Sequence, residues 1–253
     1  MIIICKPERI CEAMRYSQIV HGIFLERPNR FLAKVEIKGQ IHTSHVKNTG
    51  RCRELLVPGA EVLLEYYPDA KALGRKTEYS VTAVYKEREG DLSRVLINMD
   101  SQAPNQAAKE WIESGGFYTA TGLSVEKLER EVTYGQSRFD LAFEAGGKPG
   151  FMEVKGVTLE EKGIAMFPDA PTKRGVKHLQ ELMDAGKHGF LTYLLFVIQM
   201  KGVKSFRPNW DTHPAFAKTL KEASDSGLKV LAYDCIVRED GFALHEKVPV
   251  NYE

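Results

Sequence analysis

Alternation between apolar and polar positions dominates the first third of the chain. Residues 17–25 (SQIVHGIFL) and 31–37 (FLAKVEI) read as strands, and residues 40–46 follow Gly39 as a third, joined as a hairpin or meander. Residues 62–67 and 79–85 supply two more. Five short strands within about 70 residues, punctuated by Gly and Pro, predict a small closed or partly open barrel of the OB type. A five-stranded sandwich would give the same pattern. Residues 1–16 carry no such signal and read as a short strand and turn, or as an extension.

The charged stretch Glu87-Arg88-Glu89-Gly90-Asp91 marks a boundary, so two domains are expected, 1–90 and 91–253. Beyond it helices and strands alternate, the mark of an α/β layer. Pro104 opens a helix over residues 105–114, closed by Gly115-Gly116. Residues 131–155 (EVTYGQSRFDLAFEAGGKPGFMEVK) read as two hairpin strands and a third. Alternation places Phe139, Leu141 and Phe143 on one face and Asp140 on the other. In the third strand Met152 and Val154 take the apolar face, with Glu153 and Lys155 together opposite it.

Thr172 is a good N-cap for a helix from residue 173. Val176, Leu179, Leu182 and Met183 form its apolar stripe, and Arg174, Lys177 and His178 fall on the other side. Residues 190–198 (FLTYLLFVI) are apolar throughout, as in a central strand buried on both faces. A helix over 214–224 and a strand over 229–237 follow, and residues 238–253 read as a tail that packs as an edge. The second domain is therefore expected to be a mixed-sheet α/β domain.

Asp140, Glu153 and Lys155 are the candidate chemistry. If their strands pair, two carboxylates and an amine converge on one polar face, a set suited to Mg²⁺ or Mn²⁺, with the Val154 carbonyl as an extra oxygen. Lys155 would orient the attacking water or offset charge building on phosphate. An acid two residues before a Lys is common, and this chain repeats it at Glu36/Lys38, Asp69/Lys71 and Glu160/Lys162. The bland reading is a solvated strand face; the upstream acid, the apolar cover and the basic helix downstream favour a site. The spacing Asp140-x12-Glu153-x-Lys155 resembles the PD-(D/E)XK nuclease superfamily, with Phe139 where that pattern has Pro. Glu110 or Glu131 could supply a further acid.

Composition changes little: 43% apolar and 27% charged residues in 253 describe an ordinary globular protein. The net charge of +1 gives no global attraction to nucleic acid. Locally, residues 27–53 hold seven Lys/Arg against a single acid, Glu36, a net of +6. Arg30, Lys34, Lys47, Asn48, Arg51 and Arg53 on the barrel, and Lys173, Arg174 and His178 on the later helix, are the candidate nucleic-acid contacts. Phe31, Tyr66 and Tyr67 could stack on bases, with core aromatics and a solvated basic face as the alternative. Cysteines at 5, 11, 52 and 235 show neither zinc spacing nor a C-x-x-C pair and read as reduced thiols. The first five residues are too short for an export signal, and the longest apolar run is about half the roughly 20 residues of a membrane helix. A cytoplasmic protein with no membrane partner is expected; a homodimer is compatible.

Longer motifs carry a closer likeness. RFLAKVEIKG, HVKNTGRCRELLVPG, EVTYGQSRFD and EVKGVTLEEKGIAMFPDAPTKRGVKHLQEL, in that order, resemble the sugar fermentation stimulation protein A family of bacteria and archaea. The likeness covers roughly residues 18–237. It implies an N-terminal OB-fold joined to a PD-(D/E)XK-type domain, DNA binding, and a regulatory effect on maltose metabolism. It carries the Asp of SRFD onto Asp140 and the acid and Lys of EVK onto Glu153 and Lys155. The FPDA-x-T-x-RG-x-x-HL stretch brings Arg174 and His178 to the same centre, and NTGR sets Asn48 and Arg51 on the barrel. The chain departs at Cys52, where Met is expected, and in a longer start.

Overall fold

The computed structural model describes residues 14–48, 50–88 and 93–253. Most of residues 1–16, with Cys5 and Cys11, and the Glu89-Gly90-Asp91 part of the expected boundary lie outside them.

The first five strands are β1 (Ile19–Asn29), β2 (Leu32–Ile37), β3 (Gln40–Val46), β4 (Glu61–Tyr66) and β5 (Tyr79–Glu87). They run in the order β3-β2-β1-β4-β5. A parallel pairing of His45 with Ser80 and Val46 with Val81 joins β3 to β5 and closes the sheet into a barrel. The β2–β3 turn is made by Lys38 and Gly39, both at positive φ (50° and 79°), the conformation that matches strand twist in a two-residue hairpin. Val35, Ile37, Val62, Leu64 and Val81 fill the interior, as their alternation predicts. The expected barrel is thus present. A further strand, β6 (Arg94–Asn98), pairs with β5 and extends this sheet past the charged stretch.

Two helices follow, α1 (Ala103–Glu113) and α2 (Gly116–Thr121). Gly115, at φ 89°, turns the chain between them, so the glycine pair reverses direction instead of ending helical structure. Then come β7 (Val125–Tyr134), β8 (Ser137–Ala145) and β9 (Lys148–Val157), followed by β10 (Leu159–Glu161) and β11 (Ile164–Phe167). After α3 (Lys173–Lys187) come β12 (Leu191–Ile198), β13 (Ser205–Pro208), α4 (Pro214–Asp225), β14 (Lys229–Arg238) and β15 (Gly241–Lys247).

The main sheet runs β15-β14-β12-β9-β8-β7, parallel across β9, β12 and β14 and antiparallel outside them. Central β12 is buried on both faces, which explains its unbroken apolar run. One face packs Met152, Val154 and Leu195 with α1 and α2. The other packs Phe151, Phe196 and Leu179 with α3 and α4, in an apolar cluster that continues into the barrel. The tail forms β15 at the sheet edge.

Polar contacts also tie the domains. Gln199 donates to Asn98 Oδ1 at 2.9 Å, Asn98 donates to the Tyr16 hydroxyl at 2.8 Å, and Lys86 reaches Glu160 Oε2 at 3.2 Å. Burial with the neighbouring Asp100 charge pushes the Tyr16 phenol well up. Cys52 and Cys235 are free and buried, and burial raises the Cys52 thiol to about 12, so it acts as core and not as a nucleophile.

Candidate active site

The β8–β9 ladder starts at Ala145–Lys148 and ends at Leu141–Met152. Asp140 stands just beyond that end, where β8 no longer follows β9. Its Oδ2 accepts the Val154 N–H at 2.8 Å, in place of a ladder bond. Its Oδ1 accepts from Asn105 Nδ2 of α1 at 2.7 Å. The expected pleat does not survive this divergence. Phe139 packs against Phe151 and His178 (ring centroids 5.1 and 6.2 Å), whereas Phe143 packs against Phe117 on the opposite face (5.3 Å). Alternation holds only where β8 is paired to β9, and so Phe139 does not share one face with Leu141 and Phe143.

Glu153 lies on the α3 side of β9 and is 2% exposed. One oxygen, Oε1, accepts from both Lys155 Nζ and His178 Nδ1. The other, Oε2, is buried and has no hydrogen-bond partner. The Thr172 cap, whose Oγ1 accepts the Gly175 N–H at 3.0 Å, sets the start of α3 and hence the place of His178 two turns in. Arg174 Nε then donates to His178 Nε2 at 3.2 Å, so the imidazole proton sits on Nδ1 and faces Glu153.

The two acids respond to this surrounding in opposite ways. Burial, then the charge of Glu153, pushes the Asp140 carboxyl above its ordinary range, partly offset by the Val154 N–H. Burial also pulls Glu153 upward, but the His178 hydrogen bond and the Lys155 charge outweigh it and hold the carboxyl below its ordinary range.

The structure brings Asp140, Glu153, Lys155 and His178 together, with Arg174 beside them. His178 departs from the expected polar helix face: it is 4% exposed, because β9 lies beneath that side of α3. Lys173 and Arg174 are exposed. Glu131 is at the surface 3.5 Å from Arg138, and Glu110 accepts from Gln106 and from the Met14 N–H, so neither joins the acids. Val154 contributes its N–H to Asp140 while its side chain packs toward α1. Asn105 has no part in the sequence reading, although an amide directly after a helix-opening Pro is placed to reach a neighbouring strand.

On the barrel, Arg30, Arg51 and Arg53 are exposed, and Lys34 donates to Thr43 Oγ1 at 2.7 Å. Asn48 caps its own loop through the Gly50 N–H at 2.8 Å. Lys47 differs from the expected free cation. Its ammonium lies 3.1 Å from Glu65 and 3.1 Å from Asp100, so two acids of the fold already neutralise it.

The donor set fits a hard divalent cation. Two carboxylates supply the oxygens, and the unpartnered Glu153 Oε2 is a buried anionic atom that the protein alone does not satisfy. Among the described residues a second cluster, Asp234, His245 and Glu246, has ligand atoms within 4.8 Å of one another. There Lys201 Nζ already sits 3.3 Å from Asp234 and 2.9 Å from Glu246.

Comparison with known proteins agrees with both halves of this architecture. Residues 102–241 match the sugar fermentation stimulation protein RE domain, a restriction endonuclease-like fold, and residues 25–97 match the SfsA N-terminal OB domain. The chain belongs to the sugar fermentation stimulation protein family. It is similar to a sugar fermentation stimulation protein homolog of Alkaliphilus oremlandii, 52% identical over 94% of this chain and 99% of that one. A homolog of Desulfitobacterium hafniense is 49% identical over 94% and 98% of the two chains. The solved structure of Pyrococcus furiosus SfsA in complex with Ca²⁺ superposes with a TM-score of 0.80 at 29% identity, over 94% of this chain and 98% of that one. As in the sequence reading, this member has an OB barrel followed by an endonuclease-like mixed sheet. Among its described residues, no helix is long and apolar enough to cross a membrane.

Proposed function

We propose that this protein binds nucleic acid, DNA in the first instance, and cleaves it as a Mg²⁺- or Mn²⁺-dependent phosphodiesterase. The observation that carries this reading is the buried, unpartnered Oε2 of Glu153 next to a second, half-buried carboxylate and a lysine. Asp140, Glu153 and the Val154 carbonyl would hold the ion, which when bound supplies Lewis-acid polarisation of phosphate and a more acidic water. Asn105 and the Val154 N–H fix the Asp140 carboxylate in place. Lys155, on the same strand face as Glu153, orients the attacking water or offsets charge on the phosphoryl oxygens. His178 holds Glu153 in one rotamer from below. Arg174 and Lys173, exposed at the start of α3, contact the flanking phosphates, and Arg30, Arg51 and Arg53 of the barrel extend that contact without reading sequence.

The test is incubation of purified protein with labelled single- and double-stranded DNA and RNA, with and without Mn²⁺. Cleavage that needs Mn²⁺ and disappears in Glu153→Ala and Lys155→Ala supports the reading. No metal-dependent cleavage, or equal cleavage by both variants, defeats it.

One observation favours a second reading, a non-catalytic, weakly sequence-specific DNA-binding regulator of sugar metabolism. Lys155 and His178 both engage Glu153 Oε1, so an ion pair already occupies part of the centre. That reading predicts binding that falls steeply with salt, weakens in Arg51→Ala and is unchanged in Glu153→Ala.

A further inference from the structure

Away from the two acids, a recess of about 410 Å³ opens on the barrel beside the β1–β2 turn. Phe31 and Leu32 give it an apolar floor and Arg75 and Lys76 give it basic walls, while His45, held below its ordinary range by burial and the Arg75 charge, lines it as an uncharged ring. No acid lines it. Phe31 is 45% exposed, unusual for a large aromatic ring, and the Arg30 guanidinium lies over it at 4.7 Å from the centroid. Arg75 is a fixed cation: it donates to Ser80 Oγ at 2.7 Å and stacks on Tyr67 at 3.5 Å. The other two aromatics expected to stack are already engaged. Tyr66 lies on Tyr79 at 5.0 Å, and Tyr67 is bonded to Glu65 and covered by Arg75.

The recess is joined rigidly to the loop that faces the second domain. The Arg27 guanidinium donates from Nη2 to the carbonyls of Arg30 and Asn48, both at 2.7 Å, and from Nη1 to those of Gly50 and Arg51 at 2.9 and 2.7 Å. Gly50 in turn packs so closely on the second domain that a Cβ there would lie 2.8 Å from Asp169 Oδ2. Asp169 shortly precedes Thr172, the cap of the helix that carries Arg174 and His178.

A half-exposed ring with Arg30 over one face, Arg75 and Lys76 beside it and no acid among the described lining residues matches an unstacked base together with its phosphate. A duplex cannot offer that face, because its bases are stacked inside. We propose that the Phe31 recess seats an unpaired base of single-stranded nucleic acid, at the barrel end of a track leading to the Asp140–Glu153 centre. This rests on the nucleic-acid reading above and adds to it the strand state of the bound chain.

The test is fluorescence anisotropy of the full-length protein in EDTA, so that no strand is cut. The probes are an oligo(dT) of about 20 nucleotides and a duplex of the same length. Phe31→Ala is expected to weaken oligo(dT) binding about 10-fold and leave duplex binding within about twofold, with Phe31→Trp restoring the affinity. Lys76→Ala should lower the salt slope for oligo(dT) by about one. Because Phe31 is half-exposed, an unchanged melting temperature checks that the fold is intact. Unchanged oligo(dT) affinity in Phe31→Ala, or equal loss for both probes, overturns the recess alone. Wild-type protein that binds neither probe overturns the recess and the nucleic-acid reading together.

Discussion

Asn105 Nδ2 donates to Asp140 Oδ1 at 2.7 Å, so the first turn of α1 holds the acid that stands at the open end of β8. Without that amide Asp140 would keep a single fixed contact, the Val154 N–H. Removing a partner that orients a metal ligand typically costs about 10- to 100-fold in metal affinity or activity. Asn105→Ala is therefore expected to weaken Mn²⁺ binding and metal-dependent cleavage by about 10- to 100-fold, with little change in melting temperature. Isothermal titration with Mn²⁺ alongside thermal unfolding checks both halves; equal loss of fold and binding would count against an orienting role.

Glu153 serves stability and chemistry at once. Burial opposes its ionisation, but His178 and Lys155 outweigh burial and hold the carboxyl below its ordinary range. Glu153→Gln keeps an oxygen for Lys155 and His178 and removes the charge. It should lower the stability of the metal-free protein at pH 7 by about 1–2 kcal/mol and abolish cleavage. Denaturant unfolding in EDTA measures this. A higher midpoint in Glu153→Gln would show that the unpartnered Oε2 costs the fold more than the two partners of Oε1 return.

His178 is the other half of that contact. It is buried, donates to Glu153 and accepts from Arg174. His178→Ala leaves Glu153 Oε1 with Lys155 as its one remaining partner, removes a hydrogen bond to a buried charge, and should cost about 1.5–3 kcal/mol, read from chemical unfolding. A loss well under about 1 kcal/mol would mean the imidazole is replaceable by water.

Much of this was legible in the chain because the relevant periods are local. The alternation of FLAKVEI marks β2, and the unbroken apolar FLTYLLFVI marks a strand covered on both sides. The three residues of β10 are too few to carry a period, and β6 follows a charged stretch that reads as a boundary. Glu153 and Lys155 are neighbours on one strand, so their convergence is written in sequence. Asn105 meets Asp140, and His178 meets Glu153, across elements whose packing no local pattern specifies. A helical wheel puts His178 with Arg174 on the polar side; β9 beneath that side is what buries it. Lys47 illustrates the same limit. Its charge counts toward a basic stretch, but Glu65 and Asp100, which neutralise it, come from distant parts of the chain.

That Lys47 cluster gives a pH dependence. Glu65 accepts from Lys47 at 3.1 Å and from the Tyr67 hydroxyl, and although burial pulls its carboxyl up, these contacts hold it below the ordinary value of 4.5. A carboxyl depressed in the folded state contributes stability that is fully present above its unfolded value and is lost as pH falls through the folded one. The melting temperature should therefore fall below about pH 4.5, and Glu65→Gln should flatten that part of the acid limb while lowering stability at pH 7. A parallel pH profile for the two proteins would assign the acid limb to other carboxylates.

The most direct test is Mn²⁺ binding, followed by titration calorimetry, in wild type, Glu153→Gln and His245→Ala. The second variant opens the other acidic cluster, where Lys201 already supplies a positive charge. Loss of binding in Glu153→Gln with binding retained in His245→Ala is the predicted result. Binding retained in Glu153→Gln and lost in His245→Ala would contradict a metal centre at Asp140 and Glu153.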